Sequence, residues 1–142
     1  MEKTFNLFVY GTLKRNEGAN HFLRDCEFIG EAVSADDCFD MKSNNGHFPF
    51  IFTNGNNKVG GEVYKCPAEI LPYLDSYEGY REDGEGLYLR KEFEYLLKDG
   101  QSVKAIMYYQ NGDNKGLFLH NLDDEGKQKG IEKYGDIFFW HS

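Results

Sequence analysis

Residues 5–10, Phe-Asn-Leu-Phe-Val-Tyr, are apolar at every position except Asn6. A strand with one wet face alternates apolar and polar residues, so a run that does not alternate must be covered on both faces. This one is therefore a central strand or a strand inside a barrel. It stops at Gly11-Thr12-Leu13 and meets Lys14 and Arg15, in a chain whose formal net charge is −8. Glycine allows such a turn to aim consecutive backbone N–H groups at one point and lets a ligand come close. A concavity of that kind takes a carboxylate, a phosphate or an oxyanion. The plainer reading of Tyr10-Gly11-Thr12-Leu13 is a turn that only caps the strand, with Lys14 and Arg15 facing solvent.

The rest of the chain reads as strand-rich. Residues 17–25 suit a short helix with Phe22 and Leu23 inward, and 27–33 and 37–42 suit strands. The asparagine–glycine clusters at 43–46 and 53–57 predict turns, because both residues tolerate positive φ. Between them, residues 47–52, from His47 to Phe52, read as apolar, with Pro49 marking an edge or irregular strand. Residues 59–64, Val-Gly-Gly-Glu-Val-Tyr, form a strand whose glycine pair predicts a bulge or a close backbone approach. Pro67 suits the first turn of a helix over 67–77, with Ile70, Leu71, Leu74 and Tyr77 on one face. Pro72 would shorten or kink that helix, and Gly79 fits its end. Residues 87–97 and 102–109 flank Asp99-Gly100 as a hairpin. Tyr88, Arg90, Glu92 and Glu94 share one face of its first strand, with Leu89, Phe93 and Tyr95 on the other. The C-terminal third predicts loop and short helix, closing on Phe138-Phe139-Trp140, which packs back on the core. The sum is an α+β protein: one domain over 1–142, a small mixed β-barrel with short packed α-helices.

Composition removes several function classes. With 24 acidic against 16 basic residues, no basic face is available for nucleic acid. Cys26, Cys38 and Cys66 are odd in number and lack metal-binding spacing, so they suggest neither a disulfide framework nor a zinc site. No stretch approaches a membrane span, and the acidic start does not suit a signal peptide. The expectation is a reduced, cytoplasmic protein with no membrane partner.

Residues 74–80, Leu-Asp-Ser-Tyr-Glu-Gly-Tyr, hold the second candidate feature. Glu78 falls where the helix ends, and a helix C-terminus disfavours negative charge. Facing inward, its carboxyl would be raised toward neutrality by that dipole and by desolvation, and could then take and return a proton. A solvated glutamate at a helix end is the other reading. Asp75, three residues earlier, is a rival carboxylate.

Taken together and in order, Val-Tyr-Gly-Thr-Leu-Lys-Arg-Asn-Glu-Gly-Ala-Asn-His from Val9, His-Phe-Pro-Phe from His47, Val-Gly-Gly-Glu-Val-Tyr from Val59, Leu-Asp-Ser-Tyr-Glu-Gly-Tyr from Leu74, Leu-Tyr-Leu-Arg-Lys-Glu-Phe-Glu-Tyr from Leu87 and Lys-Ala-Ile-Met-Tyr-Tyr from Lys104 carry a sharper signal. This series resembles the γ-glutamylcyclotransferase-like superfamily from about Leu7 to Tyr109. Within that superfamily it is similar to the γ-glutamylamine cyclotransferases and small AIG2-like proteins. The resemblance implies a barrel with a cavity at one end. It implies that Tyr10, Gly11, Thr12 and Leu13 form the turn whose amides hold a γ-glutamyl group, and that Glu78 is the catalytic acid/base. It also implies that Tyr88 lines the pocket, with Arg90 beside it. The implied reaction converts a γ-glutamyl amine or γ-glutamyl amino acid into 5-oxoproline and a free amine. No cofactor and no metal are implied. The implied partner is a small-molecule γ-glutamyl substrate, and the implied assembly a monomer or weak homodimer. A non-catalytic carboxylate-binding domain of the same fold is the alternative.

Overall fold

The structure is a computed structural model that describes residues 3–10, 23–44, 48–78, 88–110 and 131–140. Its elements are β1 (Thr4–Val9), β2 (Glu27–Ser34), β3 (Phe39–Asn44), β4 (Phe48–Pro67), a 3-10 turn (Ala68–Ile70), α1 (Leu71–Glu78), β5 (Tyr88–Leu97), β6 (Ser102–Gln110), β7 (Ile131–Tyr134) and β8 (Ile137–Trp140). Neighbouring strands run β1-β6-β5-β2-β4, and β4 pairs back with β1. That last pairing closes a five-stranded mixed barrel, antiparallel except between β1 and β6.

The two-sided apolarity of β1 has a direct structural counterpart. Phe8 and Tyr10 join Ala32, Val63, Tyr95 and Met107, drawn from all five barrel strands, in the interior. Leu7 and Val9 point the opposite way, against Tyr64, Cys66, Tyr108, Leu23 and Leu74 of α1. The helix therefore lies on the outside of the barrel, over β1, β4 and β6.

Both glycines of the 59–64 strand are needed for close approach. A Cβ on Gly61 would overlap the carbonyl oxygen of Val9, and one on Gly60 would overlap the Phe139 ring of β8. The one irregularity in the β2–β4 pairing lies on β2, between Phe28 and Gly30, and not at the glycine pair.

Three expectations need correction. The cluster at 53–57 is not a turn. β4 runs through it as a 20-residue strand, and residues 53–56 bulge between the pairings Asp40↔Phe52 and Phe39↔Asn57. The helix expected over 67–77 is a 3-10 turn followed by α1, which starts at Leu71. Pro72 thus lies in the first turn of α1, where a missing N–H costs nothing. In the C-terminal third, residues 131–140 form a β7–β8 hairpin and not a helix, and β8 adds to β4 in parallel. Phe138 packs against the barrel interior, as the closing aromatic segment required. Of the helix expected over 17–25, residues 17–22 lie outside the described residues. Leu23 is buried, and its carbonyl accepts from the Cys26 amide at 2.9 Å, closing a turn ahead of β2. The β5–β6 hairpin turns at Lys98-Asp99-Gly100, with Gly100 at φ 88°.

Tyr95 is fully buried, and its ring stacks on Phe8 at 4.1 Å between centroids. Its hydroxyl has no hydrogen-bond partner among the described residues. Burial, and then Asp36 and Cys38, push this phenol well above its ordinary value. Stranding a buried hydroxyl costs about 1–3 kcal/mol. Tyr95→Phe should therefore raise the melting temperature by a few degrees, read by calorimetry. A phenol raised in the folded state contributes stability below its unfolded value near 10 that is lost as pH climbs past it. The advantage of Tyr95→Phe should therefore widen above that pH.

Candidate active site

One end of the barrel gathers most of the polar side chains singled out in the sequence. β1 and β6 are parallel, so their C-terminal ends coincide, and the antiparallel β5 starts at the same end. Tyr10 follows the last residue of β1, and Tyr88 is the first residue of β5. Arg90 stands directly across from Tyr108 in the β5–β6 register. Glu62 pairs with Val9 at the end of β1. α1 crosses the outside of this end and stops at Glu78, where the helix end was expected.

A chain of short polar contacts links these elements. The Tyr10 hydroxyl donates to the Tyr108 carbonyl at 2.7 Å, tying the exit of β1 to β6. The Tyr108 hydroxyl donates to Asp75 Oδ1 on α1 at 2.6 Å. Arg90 Nε lies 3.0 Å from the same oxygen, and its Nη2 lies 3.4 Å from Oδ2. Arg90 thus forms an ion pair with the Asp75 carboxylate in which Nη2, and not Nε, donates the hydrogen bond. Both groups are largely buried, at 24% and 20% side-chain exposure, so solvent screens this pair less than a surface pair.

Glu62 is a buried carboxylate, 7% exposed, that accepts from the Tyr64 hydroxyl at 3.1 Å. Tyr64 belongs to the cluster beneath α1, which sets Glu62 on the same outer face as Tyr108 and Asp75. Tyr88 is half-buried against that cluster. Burial raises the thiols of Cys26, Cys38 and Cys66, and for Cys66 the rise is large. An activated cysteine nucleophile needs the opposite shift.

Of the expected site residues, the structure brings Tyr10, Tyr88 and Arg90 to one end of the barrel. Gly11, Thr12 and Leu13, with Lys14 and Arg15, lie outside the described residues. Glu78 is described only in its backbone, as the last residue of α1. Tyr108 and Glu62 were not singled out from sequence. Both left a signal there. Counting back from the Asp99-Gly100 turn sets Tyr108 opposite Arg90, and Glu62 is the lone charge within the apolar and glycine run 59–64.

A family model described as gamma-glutamyl cyclotransferase, AIG2-like, matches residues 7–130. Gamma-glutamylaminecyclotransferase A of Danio rerio is 30% identical over 112 residues, covering 72% of this chain and 67% of its own. The gamma-L-glutamyl-butirosin B gamma-glutamyl cyclotransferase of Niallia circulans is 26% identical over 139 residues, covering 93% and 85%. Among solved structures, an AIG2-like protein from Mus musculus superposes with a TM-score of 0.66 at 23% identity, over 92% of this chain and 98% of its own.

Proposed function

Because the chain belongs to the gamma-glutamyl cyclotransferase, AIG2-like family, we propose that it cyclises the γ-glutamyl group of a small amide to 5-oxoproline and releases the amine. The substrate carries its own nucleophile. Its α-amine attacks its γ-carbonyl carbon, a C–N bond forms within a five-membered ring, and the C–N bond to the leaving amine breaks. No water is consumed. Holding the tethered amine in line with the carbonyl supplies much of the acceleration, since well-oriented intramolecular attack can be worth about 7–11 kcal/mol. What remains is proton traffic. An α-ammonium cannot attack, and an amide nitrogen cannot leave as an anion at neutral pH. Glu78 takes a proton from the α-ammonium and delivers it to the departing nitrogen, and the second proton that the ring nitrogen sheds as the lactam forms leaves on the released amine as its ammonium. Glu78 is the last residue of α1, and a helix C-terminus disfavours negative charge. The turn at Tyr10-Gly11-Thr12-Leu13 offers amide donors to the γ-glutamyl group or to the oxyanion that develops on its carbonyl.

The observation that supports this reading is the meeting of Tyr10, Tyr88 and Arg90 with Asp75 of α1 at one end of the barrel, in a chain matched by the family model from residue 7 to 130. Its test is a mass-spectrometric panel of γ-glutamyl-ε-lysine, γ-glutamyl α-amino acids and glutathione. Release of 5-oxoproline from one of them identifies the reaction and the leaving amine together. If none yields product but a γ-glutamyl compound raises the melting temperature, the barrel end is a binding site for that group and not a catalytic one.

A further inference from the structure

The Asp75 carboxylate is the hub of the contacts at the barrel end. Oδ1 accepts from the Tyr108 hydroxyl and lies 3.0 Å from the charged Arg90 Nε, and Oδ2 accepts from Arg90 Nη2 at 3.4 Å. A carboxylate with both oxygens engaged in this way is poorly placed to exchange a proton with a substrate amine. It is well placed to hold a helix. α1 has only 8 residues, too few to be stable alone, so its position depends on what it packs against. Leu74 supplies an apolar anchor, being 1% exposed. One apolar anchor leaves a short helix free to roll about its own axis. A second, polar anchor at the next residue removes that freedom. Asp75 reaches β5 through Arg90 and β6 through Tyr108, and Tyr108 in turn holds Tyr10 at the exit of β1. Glu78 lies three residues beyond Asp75, on the same side of the helix.

We propose that Asp75 is a positioning residue: through Arg90 and Tyr108 it fixes the roll of α1, and so sets where the last residue of that helix, Glu78, meets the substrate. This rests on the cyclotransferase reading of the site. It also assigns Arg90 to the clasp, so that Arg90 acts on the reaction through Asp75.

The test uses Asp75→Asn and Tyr108→Phe. Asparagine keeps an acceptor for the Tyr108 hydroxyl but loses the charge that holds Arg90. Tyr108→Phe removes one hydroxyl and leaves the carbonyl that Tyr10 uses. Two readouts are taken. The first is steady-state kinetics on the substrate that the panel identifies. Asp75→Asn should lower kcat about tenfold or more while KM moves less than about threefold, because a misplaced acid/base group acts mainly on the chemical step. Added to Glu78→Gln, it should lower the residual rate by less than about twofold, since the residue it positions is already disabled. The second readout is hydrogen exchange of the amides of residues 71–78, which needs no turnover. Exchange there should speed up in both variants, more in Asp75→Asn. An active wild type with kcat unchanged in Asp75→Asn overturns the proposal, even where the melting temperature falls. Full additivity with Glu78→Gln overturns it too. A wild type that cyclises no γ-glutamyl compound ends the reaction assignment, and exchange at 71–78 then decides alone: unchanged protection refutes the clasp, and faster exchange upholds it.

Discussion

Glu78→Gln is expected to cut the release of 5-oxoproline by about 10²–10⁴-fold, the usual contribution of a positioned general acid/base. Glutamine keeps the shape and length of the side chain and its ability to accept a hydrogen bond. It cannot carry a proton from the α-ammonium to the leaving nitrogen. The melting temperature should stay within about a degree of the parent, because exposed or isosteric polar changes rarely exceed about 0.5 kcal/mol. Binding should survive as well. A γ-glutamyl compound should still raise the melting temperature of Glu78→Gln, since the groups proposed to hold it, residues 10–13 and Tyr88, are separate from Glu78 in the chain. Full activity in this variant would remove Glu78 from the mechanism. The acid/base would then have to be sought among the other carboxylates at this end, and Glu62 is the first of them, buried beside the exit of β1.

The second large effect is structural. Gly61→Ala should destabilise the fold by about 3 kcal/mol, the top of the usual range for an overpacked core, and lower the melting temperature by roughly 10 °C. The added methyl would collide with the Val9 carbonyl oxygen, and the Phe8 ring lies 2.8 Å from the same point. A backbone carbonyl in a closed barrel has nowhere to go. Val9 is joined to Glu62 on β4, and β1 is held on its other side by β6. Gly60→Ala is the internal comparison. Its methyl meets the Phe139 ring, a side chain that can turn aside, so it should cost about a third as much. Equal melting temperatures for the two variants would contradict this account. The damage from Gly61→Ala should also reach the site, because Val9 immediately precedes Tyr10. Whatever folded protein remains should bind γ-glutamyl compounds more weakly, as thermal shift would read.

Much of this molecule is local, and local features are legible in a sequence. Apart from Asn6, the run Phe5–Tyr10 is apolar on both faces because both faces are covered, by the barrel interior and by the cluster under α1. The β5–β6 hairpin follows from alternation and from a glycine able to take φ 88°. Gly60 and Gly61 signalled close approach, since a strand gives up two side chains only where a neighbour needs the space. The end of the helix at Glu78 followed from its apolar spacing and Gly79.

Other features were decided by neighbours remote in sequence. Thr53-Asn54-Gly55-Asn56 has the composition of a turn, yet it is a bulge inside β4. Pairing with β3 on both sides of it, and with β1, β2 and β8 further on, outweighs the preference of four residues. β8 is a strand because β4 offers it an edge, and nothing within residues 137–140 announces a parallel partner some 80 positions earlier. The barrel itself is set by closure of β4 on β1, a contact between the start and the middle of the chain.

At the site the division is sharper. Residue order was enough to name the candidate chemistry: an apolar strand running into Gly11, a glutamate at a helix end, a tyrosine and an arginine two apart on one strand face. How Tyr10, Tyr88 and Arg90 are held follows from barrel closure. Asp75 read as a rival carboxylate, and Tyr108 as one more aromatic in a strand. The barrel closes α1 over β5 and β6, and there Asp75 takes the Arg90 guanidinium and the Tyr108 hydroxyl. Residue spacing dictates which groups share a face of one element, because that follows from a repeat of two or 3.6 residues. Which faces then meet, and which charge neutralises which, depends on chain closure over tens of residues, and no local repeat encodes it.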